Sequence, residues 1–181
     1  IKIFFNKNKK TNFAALDAAN AYYFLFKKSK GKIICLLDSD DFFNKNKIKE
    51  VVKNFNINKD KKVLFDIPKI YYNKSKIKNF NCNIDRSKKN SIWPKIFPTS
   101  SISLDRNYLI FCFKNFKNNE FPLLEIDFRI CCLSINISKN FMICKKKLTF
   151  YRQVPGGIIS NFPKFGKNWW IKRSQAFNYL F

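Results

Sequence analysis

Lys30 to Phe43 read KGKIICLLDSDDFF: a glycine, an apolar run from Ile33 to Leu37, and then an abrupt change to acid. A run this short and this rich in branched side chains predicts a strand buried on both faces. Asp38, Asp40 and Asp41 place three carboxylates within four residues, in a chain with 12 acidic and 36 basic side chains. Two carboxylates held about 5 Å apart repel by roughly 3 kcal/mol at an effective dielectric of about 20, so a fixed cluster of this kind calls for a cation. The chain contains no histidine, and oxygen-only ligation suits Mg or Mn rather than Zn. Taken alone, an Asp/Ser cluster after a strand also reads as a solvated turn or a helix cap. Here it follows a buried-type strand and precedes an amphipathic helix, the carboxyl-end position at which open α/β sheets bind ligands.

Upstream, Ile1–Phe5 reads as a strand, and Thr11 or Asn12 can cap a helix to about Lys28 with Phe13, Leu16, Ala19 or Asn20, Tyr23 and Phe26 on its apolar face. Downstream, Lys45–Phe55 is an amphipathic helix with Ile48, Val51, Val52 and Phe55 inward. Lys62–Phe65 and Ile67–Tyr72 read as strands broken at Pro68, which favours an edge or a bend. Asn73–Asn90, rich in lysine and asparagine, reads as a surface loop. Pro98–Leu104 is a strand, and Asp105 caps a helix to about Phe116.

Leu123–Leu133, LLEIDFRICCL, predicts a helix with Leu123, Ile126, Ile130 and Leu133 toward the core. Glu125 stands four residues before Arg129 and is expected to pair with it on the outer side. Asp127 is left unpaired at the edge of the apolar face, as a general base requires, with Glu125 as its substitute. Phe141–Cys144 and Leu148–Gln153 read as closing strands, and Gly156 with Gly157 would let the following loop move. Lys167–Phe181 is helical, with Trp170, Phe177 and Phe181 expected to pack on the domain; rest on a membrane surface is the alternative.

The chain has 181 residues and 22 phenylalanines, is 46% hydrophobic, and fits one domain with an ample core. A net charge of +24 would ordinarily suggest nucleic acid or an anionic membrane. The lysines are scattered, however, among abundant Asn, Ile and Phe, the set that an AT-rich coding sequence produces, so much of the charge reads as solvated surface. Six cysteines without C-x-x-C spacing, mostly inside apolar runs, predict free buried thiols in a reducing compartment. No apolar stretch approaches the roughly 18 residues of a membrane span. The chain begins at Ile1 and its only methionine is Met142, which predicts a start inside a longer reading frame.

A strand ending in D-x-D-D after G-K-I-I resembles the metal-binding motif of the family 2 glycosyltransferases, enzymes of the GT-A fold. That resemblance implies an α/β fold of GT-A type, a mixed, mostly parallel Rossmann-like sheet flanked by helices, lacking the first nucleotide-binding strands. Residues 1–155 would form the core, and 156–181 an active-site loop with a C-terminal amphipathic helix. Asp38 would contact the ribose side of the nucleotide and join Asp40 at a divalent metal, Mg or Mn, bridging the two phosphates. Asp41 would support the site. Thr99 and Ser100 would border the donor sugar pocket, Asp127 would deprotonate the acceptor hydroxyl, and Arg152 in FYRQ would stabilise the leaving diphosphate. Asn20 stands where the family carries an asparagine, although the glycine after it is missing and the distance to Gly31 is longer than usual.

The expected activity is transfer of a sugar, with inversion, from a nucleoside-diphosphate sugar to a saccharide or lipid-linked acceptor in cell-surface polysaccharide synthesis. The expected location is cytoplasmic, at the inner face of the membrane where peripheral contact occurs. An inactive remnant of the same fold is the first alternative. A basic nucleic-acid binder is the second, disfavoured because it leaves the acidic cluster without a purpose and because no binding motif supports it.

Overall fold

The computed structural model describes residues 2, 4, 11–72, 76–79, 95–153 and 162–181. Among the described residues six strands form one sheet: β1 (Ile33–Cys35), β2 (Phe42–Phe43), β3 (Val63–Tyr72), β4 (Lys76–Asn79), β5 (Ile102–Asp105) and β6 (Phe141–Gln153). Five α-helices accompany them: α1 (Ala14–Lys28), α2 (Lys47–Ile57), α3 (Arg106–Asn115), α4 (Ile126–Cys131) and α5 (Lys167–Leu180). The strand order is β1-β5-β3-β6-β2, with β4 pairing the far half of β3.

The expected mixed sheet flanked by helices is present, but mostly parallel it is not. Among the described residues only β3 and β6 run parallel; the pairs β1–β5, β3–β5, β3–β4 and β2–β6 are antiparallel. The strand expected from the apolar run, buried on both faces, is also shorter than read. β1 has three half-buried residues and sits at one end of the strand order. Its apolar character comes from helices on both sheet faces, not from parallel neighbours.

Period-two alternation distributes the strands over those two faces. Val63 and Phe65 of β3 join Ile102, Leu104, Leu109, Phe116, Ile126 and Ile130 in the main core, beneath α3 and α4, with Tyr22 and Phe26 of α1 at its margin. Leu64 faces the other way, into a smaller cluster with Val51 of α2, Cys144 and Leu148. A third cluster seats α5 on α4 through Ala176, Phe128, Leu124 and Tyr179.

Several local expectations are corrected by tertiary contacts. Phe13, not Thr11 or Asn12, is the N-cap of α1, and the Asp17 carboxylate accepts the Thr11 N–H at 2.8 Å, tying the preceding turn down. Pro68 does not break a strand: β3 is continuous and central, and Pro68 sits where the register against β6 shifts. That shift joins the two expected closing strands into one, β6. Residues 76–79 form β4, within the segment read as a loop; the remainder of that segment, Cys82, Gly156, Gly157 and most of the expected first strand fall outside the described residues. A turn of 3₁₀ helix, Thr99–Ser101, precedes β5 where strand was expected. Asp105 caps α3 as expected, its Oδ1 accepting from the N–H groups of Asn107 and Tyr108. On α5, Ala176, Tyr179 and Leu180 make the packing, while Trp170 is 57% and Phe181 86% exposed, with Phe177 half exposed. Cys35, Cys112, Cys131, Cys132 and Cys144 are free thiols. No helix among the described residues is long and apolar enough to cross a membrane.

The amphipathic reading of α2 reverses at two positions. Ile48 and Val52 are exposed, and only Val51 of the expected apolar face is fully buried. Lys47, read as part of a lysine-rich surface, has no exposure at all and forms an ion pair with Asp66 of β3, equally enclosed. Its ammonium also donates to Thr149 Oγ1 at 3.1 Å and to the Ser100 carbonyl at 3.3 Å. Breaking one side of a buried pair leaves an uncompensated charge. Lys47→Met is therefore expected to lower unfolding stability by about 3–5 kcal/mol in urea titration, and Lys47→Met with Asp66→Leu to recover most of the loss. A Lys47→Met protein as stable as wild type would mean that the pair contributes nothing.

Candidate functional site

The acidic turn begins where β1 hands over to loop. The Leu36 N–H donates to the Ile102 carbonyl, extending the β1–β5 pairing by one residue, and the Asp38 N–H then donates to Ser100 Oγ at 2.9 Å. Asp41 N–H closes the turn on the Asp38 carbonyl at 3.2 Å. On the far side, the Arg152 N–H of β6 donates to Asp41 Oδ1 at 2.7 Å. The turn is thus suspended between the Thr99–Ser101 segment and β6, and Asp40 projects from it into solvent while Asp41 is buried.

Two helices complete the surroundings. Tyr22 of α1 donates from its hydroxyl to Asp38 Oδ1 at 2.7 Å. Asp127, in the first turn of α4, is half-buried and accepts the Phe128 N–H at 2.7 Å. Burial pushes its pKa up to about 7, helped by the nearby Glu125 and by Asp38 of the acidic turn. The same field reaches the Tyr151 phenol, which burial and then Asp127, Asp41, Asp38 and Asp40 push up to about 12. Asp127 and the acidic turn, nearly ninety residues apart in sequence, therefore lie within electrostatic reach of one another.

Asp38, Asp41 and Asp127 are each held above the ordinary carboxyl range. Burial raises Asp38, against the Tyr22 hydroxyl bond and with the charge of Asp40. Burial pushes Asp41 up to about 6, opposed by the Ser100 hydroxyl and the Arg152 N–H. Glu125 takes a different part from the one expected. It is the N-cap of α4, ahead of the helix, so the i,i+4 spacing to Arg129 does not bring the two together; it pairs with Lys172 of α5 instead. Arg129 is fully buried, its guanidinium donating to the carbonyls of Leu124 and Phe121. α4 itself starts three residues later than read and continues into a π-helical turn, Cys132–Ile137.

Thr99 and Ser100 are buried, with the Ser100 hydroxyl turned toward the acidic turn. The Arg152 side chain is exposed and lies against Tyr71, its Nε donating to the phenol oxygen at 3.1 Å. Among the described residues no three acid, cysteine or histidine side chains stand close enough together to make a ready-formed metal cluster. The donor set nevertheless fits a hard cation. Asp40 is open to solvent, and Asp41 Oδ2 is buried without a hydrogen-bond partner. Tyr22, Tyr151 and the Lys47–Asp66 pair were not found from sequence. An aspartate inside the apolar strand VLFDIP was the available signal for Asp66, since a buried carboxylate needs a partner; the tyrosines gave none.

A family model described as Glycosyl transferase family 2 matches residues 11–126. Among solved structures, a crystal structure of S. aureus TarS residues 1–349 in complex with UDP-GlcNAc is similar at 14% identity and a TM-score of 0.47, over 75% of this chain. The chain spans 38% of the length of that structure. Comparison with curated proteins finds no significant match.

Because the folded-state pKa of Asp127 lies above its unfolded value, its ionisation opposes folding. The proton is retained in the folded state as pH rises from about 4 to 7, so stability falls across that window. Asp127→Asn is expected to raise the thermal midpoint at pH 8 and to leave it unchanged at pH 3.5, read by calorimetry. An equal effect at both pH values would place the carboxyl in an ordinary solvated environment.

Proposed function

The chain belongs to glycosyl transferase family 2, and on that premise we propose that it carries the catalytic part of an enzyme moving a sugar from a nucleoside-diphosphate donor to a saccharide or lipid-linked acceptor. The supporting observation is the meeting of two carboxylate groups of different kind at one site. The Asp38–Asp41 turn offers charge at the carboxyl end of a strand, and Asp127 offers a carboxyl whose pKa lies near neutrality. Mg or Mn held by Asp40 with Asp38 would supply charge neutralisation at the diphosphate. Asp41, locked to the Arg152 N–H, keeps the turn in place.

Asp127 accepts the proton of the acceptor hydroxyl as its oxygen bonds to the anomeric carbon. The bond to the diphosphate breaks on the opposite side, so the configuration inverts. Glu125 raises the Asp127 pKa from behind. Thr99 and Ser100 shape the donor pocket by holding the acidic turn, and the exposed Arg152 guanidinium faces the leaving diphosphate. Under this reading residues 1–155 belong to the catalytic core and 156–181 to its C-terminal part, in an enzyme of polysaccharide synthesis on the cytoplasmic side of the membrane.

Calorimetric titration of the full-length protein with Mn and UDP- or GDP-hexoses tests the reading. Metal-dependent binding is expected in wild type, lost in Asp40→Asn. Asp127→Asn is expected to bind normally and lose transfer by about 10²–10⁴-fold. A folded full-length wild type that binds none of these donors would sink the enzyme and leave the inactive remnant.

The outer face of α5 supports peripheral membrane contact. Residues 162–181 contain no acid, and Phe165, Trp170 and Ile171 are exposed along with Lys164 and Lys167. We propose that this face rests on an anionic bilayer. Co-sedimentation with phosphatidylglycerol vesicles, weakened by Trp170→Ser and absent with neutral phosphatidylcholine, is the expected result. Equal binding to both vesicles, or to neither, counts against it.

A further inference from the structure

The acidic turn is held from α1 as well as from its flanking strands. Tyr22 lies in the middle of α1, with its ring against the main core and its hydroxyl 2.7 Å from Asp38 Oδ1. The Asp38 backbone is fixed independently, through its N–H to Ser100 Oγ. Backbone and carboxylate are thus anchored by two different elements, which leaves Asp38 a single orientation. The Tyr22 hydroxyl also lies within the field of Asp127 and Asp41, so α1 places a neutral donor among the carboxylates.

Neutrality is what the position needs. A lysine there would bind Asp38 more strongly but would cancel its charge, and with it the attraction for a cation or for a donor hydroxyl. A phenol directs one carboxylate oxygen without neutralising the group.

Resting on the glycosyltransferase reading above, we infer that Tyr22 is a positioning residue for the nucleotide-sugar donor, its hydroxyl orienting the Asp38 carboxylate toward the bound ligand. It touches Asp38 and acts through it.

Tyr22→Phe in the full-length protein removes the hydroxyl and keeps the ring. The expected result is a rise of about tenfold in the KM for the sugar nucleotide, as befits loss of one hydrogen bond to a charged group, with kcat within about twofold and the thermal midpoint unchanged. Tyr23→Phe, one residue on and exposed, serves as the control and is expected to leave KM unchanged. An unaltered KM in Tyr22→Phe overturns the inference. So does a KM rise matched by Tyr23→Phe, or a loss of activity that follows a lowered thermal midpoint. If wild type turns over no UDP- or GDP-hexose, the enzyme reading fails first and takes this inference with it; a wild type that turns over while Tyr22→Phe is normal removes the inference alone.

Discussion

The ammonium of Lys47 sits with no access to water, and elements far apart in sequence converge on it. An isolated buried ammonium costs several kcal/mol, so α2 can close against the sheet only where oxygen acceptors meet it. Asp66 comes from β3, Thr149 from β6 and the Ser100 carbonyl from the 3₁₀ turn. Thr149 Oγ1 lies 3.2 Å from Asp66 Oδ2 and 3.0 Å from the Ser100 carbonyl, so the acceptors are tied to one another as well. Two of these elements, the 3₁₀ turn and β6, then each carry one support of the acidic turn. Ser100 Oγ accepts from the Asp38 N–H, and the Arg152 N–H of β6 donates to Asp41 Oδ1. The geometry of the carboxylates is set one step away from a charge that cannot be left unpaired.

The bulge in β6 belongs to the same constraint. From Cys144 to Thr149, β6 takes five residue steps where β3 takes two, from Asp66 to Pro68. Lys145, Lys146 and Lys147 make up the surplus and are exposed. An even pairing would put Lys146 beside Pro68, setting an ammonium where the Thr149 hydroxyl now stands. The surplus of three is odd, so it also exchanges the faces presented by the rest of the strand. Pro68, which has no N–H to give, sits where the ladder is already interrupted. A proline in a central strand, a lysine run and a buried threonine thus have one explanation.

What could be read from the sequence was local. The acidic turn at the end of an apolar run, the Asp105 cap, the span of α5 and the order of the acidic segments depend on neighbours within a few residues, and all are present in the structure. What could not be read was set by partners far away in the chain. Lys47 is one lysine in NKNKIKE, indistinguishable there from its solvated neighbours. Ile48 and Val52 keep helical spacing but face water, because the sheet beneath α2 offers a small apolar cluster and a charged socket. Glu125 and Arg129 have the spacing of a helical pair, yet the helix starts after the glutamate, and α5 brings Lys172 to it. Periodicity reports which residues share a face; it does not report what that face meets.

Charge gives the last link between structure and proposed chemistry. The chain carries +24 overall, yet Asp38, Asp41 and Asp127 all hold their protons more tightly than free carboxyls. Burial is the first cause in each case, and mutual repulsion adds to it. Surface lysines draw anions in from a distance, where salt screening allows it, but they do not quench a repulsion confined to a few ångströms. Without a cation the site therefore holds its carboxylates in an unfavourable arrangement that the Lys47 network and the β6 register impose. Such an arrangement makes sense where a ligand brings opposite charge to the turn and leaves Asp127 free to take a proton. Under the proposed reading the two groups are separated by task. Asp38 and Asp40 would hold the cation that offsets the donor's diphosphate charge, and Asp127, on a different element, keeps the near-neutral pKa that a base needs.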